Sequence, residues 1–432
     1  MGASQRIKVG LLGSGNVGSQ VARILIEEAQ MLSQRIGAQI ELTGIAVRDT
    51  QADRHWQAPA ELYSTDADVL IDRSDVVIEL TGGIEPARTR ILRALNAGKP
   101  VVSGNKALIA KHGVELQQAA QASGAQFSYE AAVAGAIPIL RPLKDSLSGD
   151  HVNRVLGIMN GTTNYILDQM DTTGAQFDDA LAEAQRLGYA EADPTADVEG
   201  QDAASKAAIV ASLAFHSEFT IDDVHCEGIT SVTAEDVAAA SEDGYVIKLL
   251  ATCERDGEGV NIRVSPTLVP REHPLASVHG AYNAVFVQAE NAGELMFYGP
   301  GAGGNPTASA VLGDFVSIAR RLVTGGAAIP ESTYAQLDST PMADVVSRYS
   351  IGMEAEDRVG VLAAIAEKFA EHGVSISTMR QTKGQNAGGE PTSSLRVITH
   401  RAEDSKMRAT LHDVEGLSSV RAVTSLYRVE GE

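Results

Sequence analysis

A chain of 432 residues exceeds what one hydrophobic core ordinarily organises, so two or three domains are expected. Its 44% apolar content suits a globular fold, while a net charge of -21 disfavours nucleic acid or an anionic membrane surface as partner. No apolar run reaches the length of a membrane span, and the N-terminus enters a strand without the layout of a secretory signal, so a cytoplasmic location is expected. The two cysteines, Cys226 and Cys253, are expected to be free buried thiols.

Residues 6 to 130 alternate short apolar strands with amphipathic helical stretches, the signal of βαβ units and a parallel sheet. Strands are predicted at 7–12, 40–47, 76–80, 101–103 and 126–129, with helical stretches such as 17–29 and 87–97 between them. Directly after the first strand comes Gly13-Ser14-Gly15-Asn16-Val17-Gly18. Glycines there permit a tight turn and bring backbone N–H groups close to a pyrophosphate at a helix N-terminus. The second strand ends at Arg48-Asp49. A guanidinium in the place usually held by an acidic residue suits a 2′-phosphate, which favours NADP, with Asp49 keeping NAD open. Thr81-Gly82-Gly83 and Ser103-Gly104-Asn105-Lys106 follow the next strands, on the sheet edge where such folds bind ligands, so Lys106 is expected near the nicotinamide.

From about 131 the pattern changes to longer strands, such as 152–159 and 284–289, mixed with Ala-rich helices. Glu130 to Pro138 reads from spacing alone as a Gly-containing turn at the domain crossover, and Asn160 to Asn164 as either a substrate loop or a helix cap. The stretch from Ala184 to Lys206 is denser in chemistry. A helix over 177–187 stops at Gly188, and a loop follows with Glu191, Asp193, Asp197 and Glu199. A second helix opens near Asp202, which shares a face with Lys206 at the head of the apolar stripe Ile209, Val210 and Leu213. That stripe turns the charged pair inward. Gly299 to Thr307 opens another helix near 308–322, predicted to return to the first domain with Gly301 able to face the cofactor. Residues 325–340 lack an apolar period and read as a linker. Beyond it, strands at 349–354, 376–381, 394–400 and 422–427 with helices at 360–371 and 405–413 give the order βαββαβ, although Gly384 to Pro391 departs from a tight hairpin. No H-x-x-x-H, C-x-x-C or G-x-S-x-G is present, which speaks against zinc and hydrolase chemistry.

The order Ala184, Gly188, Tyr189, Ala190, Asp193-Pro194, Asp197-Val198, Gly200, Asp202 and Lys206 resembles the signature of homoserine dehydrogenases, and Gly13 to Gly18, Val102 to Ala107, Glu130 to Pro138 and Asn160 to Asn164 resemble the same family. The resemblance covers roughly residues 5 to 325. Asn105-Lys106-Ala107 distinguishes it from the sugar-oxidising Rossmann family, which carries Glu-Lys-Pro there. Residues 357–362 and 372–376 resemble an ACT domain, a module that binds amino acids at paired interfaces.

The resemblance implies an α/β protein: a Rossmann domain (1–130), an α+β catalytic and dimerisation domain (131–325), a linker (326–346) and an ACT-like regulatory domain (347–432). It implies reversible hydride transfer between NAD(P)H and aspartate 4-semialdehyde, giving L-homoserine on the way to threonine, methionine and isoleucine. Lys206 is the expected acid and base, its pKa lowered by desolvation and raised again by nearby carboxylates, and Lys106 polarises the same oxygen. Glu191 and Asp202 are expected to hold the substrate ammonium with the Gly188 backbone, and Asp197 to support the lysines from behind. Gly13, Ser14, Gly15, Asn16, Val17, Gly18, Arg48, Thr81, Gly82, Ser103, Lys106 and Gly301 are expected to bind the cofactor. Glu130 and the backbone carbonyls of Val133, Gly135 and Ile137 are expected to hold sodium, an ion suited to oxygen ligands. Threonine as an effector and a homo-oligomer, dimer or tetramer, complete the expectation. The alternative is a nonenzymatic amino-acid sensor that has kept a Rossmann domain.

Overall fold

The computed structural model describes residues 5–385 and 391–431, so part of the irregular stretch expected after Gly384 lies outside the described residues. Two compact units are interleaved along the chain. One gathers residues up to Gly161, Asp202–Val224 and Ala281–Leu337; the other gathers Thr162–Gln201, His225–Gly280 and the chain from Asp338 on. The segment 131–325 therefore contributes to both.

The first unit holds a parallel sheet of β1 (Arg6–Leu12), β2 (Gln39–Ala46), β3 (Tyr63–Ser64), β4 (Val76–Glu79), β5 (Val101–Ser103) and β6 (Phe127–Ser128). Its strand order is β3-β2-β1-β4-β5-β6. The order reverses between β1 and β4, which opens a crevice at their carboxyl ends. Both strands are almost fully buried, as a sheet covered by helices on its faces requires. Helix Gly304–Thr324 buries Ala308, Val311, Leu312, Phe315 and Ile318, an i, i+3, i+4, i+7 stripe, in the same core as Val21 and Leu25 of helix Asn16–Glu27. The same unit contains an antiparallel trio, in which Tyr282–Ala289 pairs with Val152–Ile158 on one side and Gly293–Pro300 on the other.

The second unit is built on the long antiparallel hairpin Tyr245–Asp256 and Gly259–Pro270. Along the free edge of Gly259–Pro270 three segments are added in parallel: Asp338–Ser339 opposite Gly259 and Val260, His225–Cys226 opposite Arg263 and Val264, and the end of Val420–Val429 opposite Thr267 and Leu268. Strand Val420–Val429 continues into an antiparallel sheet with Val346–Glu356, Pro391–Thr399 and Ile376–Gln385. Helices Val361–Glu371 and Asp404–Glu415 supply Ile365, Phe369, Met407 and Val414 to its core.

Three expectations change. Cys253 is buried but Cys226 is exposed, and both are free. Glu28 separates a further helix, Ala29–Ile36, from the one before it. The stretch after Gly325 is not a loose linker: the Tyr129 hydroxyl donates to Glu331 at 2.5 Å, Lys144 pairs with Glu331 at 2.8 Å, and the Ala335 and Leu337 N–H groups donate to the His216 carbonyl and the Ser217 hydroxyl. Seated this way, 327–333 roofs a cavity of about 360 Å³ floored by Ile109, Phe127, Leu213 and Phe219.

Candidate active site

The turn after β1 is shaped by sterics. Gly13 has φ +95°, and a Cβ there would lie 2.6 Å from the Leu80 carbonyl oxygen; one on Gly18 would lie 2.3 Å from the Gly13 carbonyl oxygen. A Cβ on Gly15 would meet nothing within 4 Å, so the tight turn presents an open face at the start of helix Asn16–Glu27. Asn16 begins that helix exposed, and Val17 packs partly buried against the core. The Ser14 hydroxyl is buried there with no hydrogen-bond partner among the described residues, a donor left over for a ligand oxygen.

At the ends of β4 and β5 sits a residue that the sequence pattern does not mark. Glu79 is buried and accepts from the Thr81 N–H (2.7 Å), the Thr81 hydroxyl (2.6 Å) and the Ser103 hydroxyl (2.8 Å). Ser103 is fully buried, and its hydroxyl ties the ends of the two strands together through Glu79. Gly82 and Gly83 follow at positive φ with open space beside them. Asn105 caps helix Lys106–Ser123 by accepting from Leu108 N–H at 3.2 Å, and its amide donates to the Gly83 carbonyl at 2.6 Å. That cap aims the first helical residue, Lys106.

Lys106 and Lys206 share one carboxylate. The Lys206 Nζ donates to Asp202 Oδ2 and to the Met159 carbonyl, each at 2.6 Å, and the Lys106 Nζ pairs with Asp202 Oδ1. Asn160 adds an amide donor to Oδ2 at 2.9 Å. Helix Gln201–Ala214 is buried along most of its length, which places Asp202 and Lys206 inside; the Lys106 side chain remains 46% exposed. Burial alone would raise the Asp202 carboxyl, but the Lys206 and Lys106 ammonium groups outweigh it and hold that carboxyl well below the usual range. Asn160 and the Met159 carbonyl carry no charge pattern, so only the strand-to-helix position just before Gly161 pointed to them.

In the second unit, helix Phe177–Leu187 ends on Gly188 at φ +79°, as expected. Glu191 is exposed, and its backbone carbonyl accepts from the Gln185 amide at 3.1 Å. The Thr162 hydroxyl lies 2.7 Å from the Tyr189 carbonyl and 3.1 Å from Asp197, which ties the acidic loop to the Asn160–Asn164 segment. Asn164 is structural: its amide donates to the Val278 and Gly280 carbonyls, and its oxygen accepts from Lys248.

Two further predicted sets behave differently from one another. The Glu130 carboxylate accepts from the Ile139, Leu140 and Arg141 N–H groups at 2.6 to 2.8 Å and from Arg141 Nε at 3.1 Å, so its side chain caps a helical turn. Val133, Gly135 and Ile137 are buried in a turn with Ala134 at φ 54° and Gly135 at φ 58°. No described donor reaches their carbonyl oxygens. Gly301 packs its carbonyl against Gly135 and its Cα against Asn283, where a Cβ would lie 2.1 Å from Asn283 Cγ, so close packing accounts for that glycine. Arg48 stands near the end of β2 with part of its surface open to solvent, and the Asp49 carboxylate accepts from the Gln51 N–H in its own turn.

A glycine turn at the switch point of a parallel sheet, beside two lysines on a buried carboxylate, defines a dinucleotide-dependent oxidoreductase. Comparison with known proteins takes the assignment further. Family models described as "Homoserine dehydrogenase, NAD binding domain", "Homoserine dehydrogenase" and "ACT domain" match residues 13–130, 138–316 and 349–416. Homoserine dehydrogenase of Corynebacterium glutamicum is 52% identical, covering 99% of this chain and 97% of that one; the Mycobacterium tuberculosis protein is 51% identical, covering 100% and 99%. Among solved structures, a homoserine dehydrogenase from Thiobacillus denitrificans aligns with TM-score 0.90 at 39% identity, covering 99% of each chain. A hyperthermophilic archaeal homoserine dehydrogenase in complex with NADPH aligns with TM-score 0.62 at 26% identity, covering 73% of this chain and 98% of that one. The chain belongs to the homoserine dehydrogenase family, with a C-terminal ACT domain, and is an NAD(P)-dependent oxidoreductase. A nonenzymatic sensor is not supported. Among the described residues no helix is long and apolar enough to cross a membrane.

Proposed function

We propose that Lys206 is the proton donor and acceptor for the carbonyl oxygen of aspartate 4-semialdehyde, that Lys106 polarises the same oxygen, and that Glu191 with the Gly188 backbone holds the substrate ammonium. The observation that carries this reading is the single buried Asp202 carboxylate between two lysines. When bound, the nicotinamide supplies or accepts the hydride. The chain's own part is to put an ammonium N–H against the oxygen that gains negative charge, the contribution that preorganised donors make to a transition state. Asp202 pairs with both lysines in the resting site and offsets one of their two positive charges, so a developing alkoxide meets donors already oriented and a net positive charge. Its share in substrate binding runs through them. Asp197, paired with Thr162, steadies the acidic loop.

NADP is the favoured cofactor in this reading. The Arg48 guanidinium suits a 2′-phosphate, Asp49 is engaged in its own turn, and an archaeal relative was solved with NADPH. Ser14 and the open face at Gly15 suit the pyrophosphate. The carbonyls of Glu130, Val133, Gly135 and Ile137 suit a sodium ion: three are buried oxygens without donors, the Glu130 carboxylate being occupied elsewhere. Such an ion would brace the turn that packs on Gly301. The C-terminal domain is read as the seat of threonine inhibition in a cytoplasmic homo-oligomer serving threonine and methionine synthesis.

One assay tests the core of this. Nicotinamide absorbance is followed with L-homoserine and each oxidised cofactor, in sodium or choline chloride, with and without threonine. Reduction of NADP in preference to NAD, faster in sodium and slowed by threonine, is expected. Equal use of both cofactors removes the role of Arg48, and indifference to sodium removes the ion.

A further inference from the structure

The ACT sheet and the acidic loop that leads into Asp202 meet on one short segment, His225–Thr230, within the second unit. On one side, Arg428 is buried near the end of the last strand, beyond the residues matched to the ACT domain. Its guanidinium donates to Asp404 at 3.0 Å and to Glu227 at 3.2 Å. Asp404 is the first residue of an ACT helix and also accepts from the Tyr349 hydroxyl. Glu227 also meets the His225 ring at 2.7 Å, and its N–H donates to the Val264 carbonyl.

On the other side, the same segment grips the acidic loop. The Ile229 N–H donates to the Val198 carbonyl at 2.8 Å, Cys226 Sγ lies 3.3 Å from the Glu199 carbonyl, and Thr230 lies 3.3 Å from the Glu199 carboxylate. The fit is close: a Cβ on Gly228 would lie 2.4 Å from the Val198 carbonyl oxygen, and one on Gly200 would lie 2.9 Å from Cys226 Sγ. Asp197 stands one residue before Val198, and Asp202 two after Gly200.

We propose that Glu227 is a positioning residue for substrate binding: held by Arg428, it fixes the turn Val198–Gly200 and so makes homoserine affinity answerable to the C-terminal domain. The proposal rests on the reading that the Gly188–Asp202 stretch holds the substrate. An ion pair and a packed backbone can each take up only discrete arrangements, which is what lets an element bias a distant site. A ligand of the ACT domain that shifts the last strand would move Arg428, and the Val198 turn with it.

Two variants act on opposite faces of the segment. Glu227→Gln weakens the link to Arg428, whereas Gly228→Ala presses on the Val198 carbonyl without changing a charge. Each is expected to raise KM for homoserine about fivefold or more, within the usual range of site-to-site coupling, while KM for the dinucleotide and kcat stay within about twofold. An Arg428→Gln, Glu227→Gln double variant should be no worse than the poorer single one. The proposal is overturned if KM for homoserine stays unchanged in Glu227→Gln or in Gly228→Ala, or if KM for homoserine and dinucleotide rise together, the mark of general loosening. Glu191→Gln separates the two readings: if it leaves KM unchanged while Glu227→Gln and Gly228→Ala raise it, the assignment of the ammonium falls and the positioning role stands.

Discussion

Asp202 serves two ammonium groups with one carboxylate, and that economy makes each lysine's loss distinct. Lys206→Ala removes a buried donor beside Asp202 and should lower turnover by about a hundredfold or more, the usual scale of general acid–base catalysis, with KM for the dinucleotide nearly unchanged. Stopped-flow measurement of nicotinamide absorbance checks this, and near-normal turnover rejects the assignment. Arg48→Ala should weaken NADP by about 1.5 to 3 kcal/mol and leave NAD almost untouched, because only the former offers a phosphate for a charge-assisted bond. Equal losses in the two KM values would make Arg48 structural. Much of this cluster was legible because Asp202 and Lys206 lie four apart at the head of an apolar stripe, and Gly188 punctuates the helix before them. Glu79 was not. A single buried polar residue at a strand end has no periodic partner in the sequence; its meaning comes from the neighbouring strand, as Ser103 shows for Glu79.

Five of the six parallel strands followed the sequence because a short apolar run with a glycine or helix signal after it marks them, as in β1 and the turn at Gly13, whereas the two-residue β3 carries no such run. The hairpin Tyr245–Asp256 and Gly259–Pro270 escaped prediction for a physical reason. It is buried on both faces yet carries Lys248, Thr252, Asn261, Arg263 and Thr267 inside, so neither alternation nor an unbroken apolar run marks it. Lys248 gives this hairpin a pH signature. Burial pushes its ammonium down to about 8, with Asp168 and Asp171 opposing, while its Nζ donates to Asn164 and to the Val278 carbonyl. Between about pH 8 and the ordinary lysine value the unfolded chain binds the proton and the folded one does not, so stability should rise with pH across that window. The ceiling is about 3 kcal/mol, since each tenfold loss of proton affinity on folding corresponds to roughly 1.4 kcal/mol. Denaturant melts of the parent chain and Lys248→Met at pH 7 and pH 10 test it. The parent should gain stability relative to the variant at the higher pH, and parallel curves would show that the side chain is not desolvated in solution.

At the scale of the whole molecule, the place of a cut decides what survives. Composition alone would put the cut after Gly326, since the glycine-rich stretch reads as a linker, but that cut deletes Glu331, Ala335 and Leu337, which bind Tyr129, His216 and Ser217. It would also uncover Ile109, Phe127, Leu213 and Phe219. Exposure of that apolar surface should cost stability and solubility whatever the ACT domain does. A cut after Leu337 keeps those contacts and removes the ACT sheet together with the short strand Asp338–Ser339, which pairs with Gly259 and Val260. It still leaves a mark, because Arg428, Tyr427 and Arg396 pair with Glu227, Asp236 and Asp243 of the remaining chain, and Thr267 and Leu268 lose their strand partners. Three carboxylates would be left for water to solvate, a change that lowers stability without destroying a core. The chain ending at Leu337 is therefore expected to fold with a lower Tm, to turn over homoserine with a raised KM, and to ignore threonine. The chain ending at Gly326 is expected to be poorly soluble and far less active. Calorimetry and steady-state kinetics on both distinguish the outcomes: if the Gly326 version proves as stable and active as the Leu337 version, the seated segment contributes nothing, and if the Leu337 version keeps full threonine inhibition, regulation does not pass through the C-terminal domain.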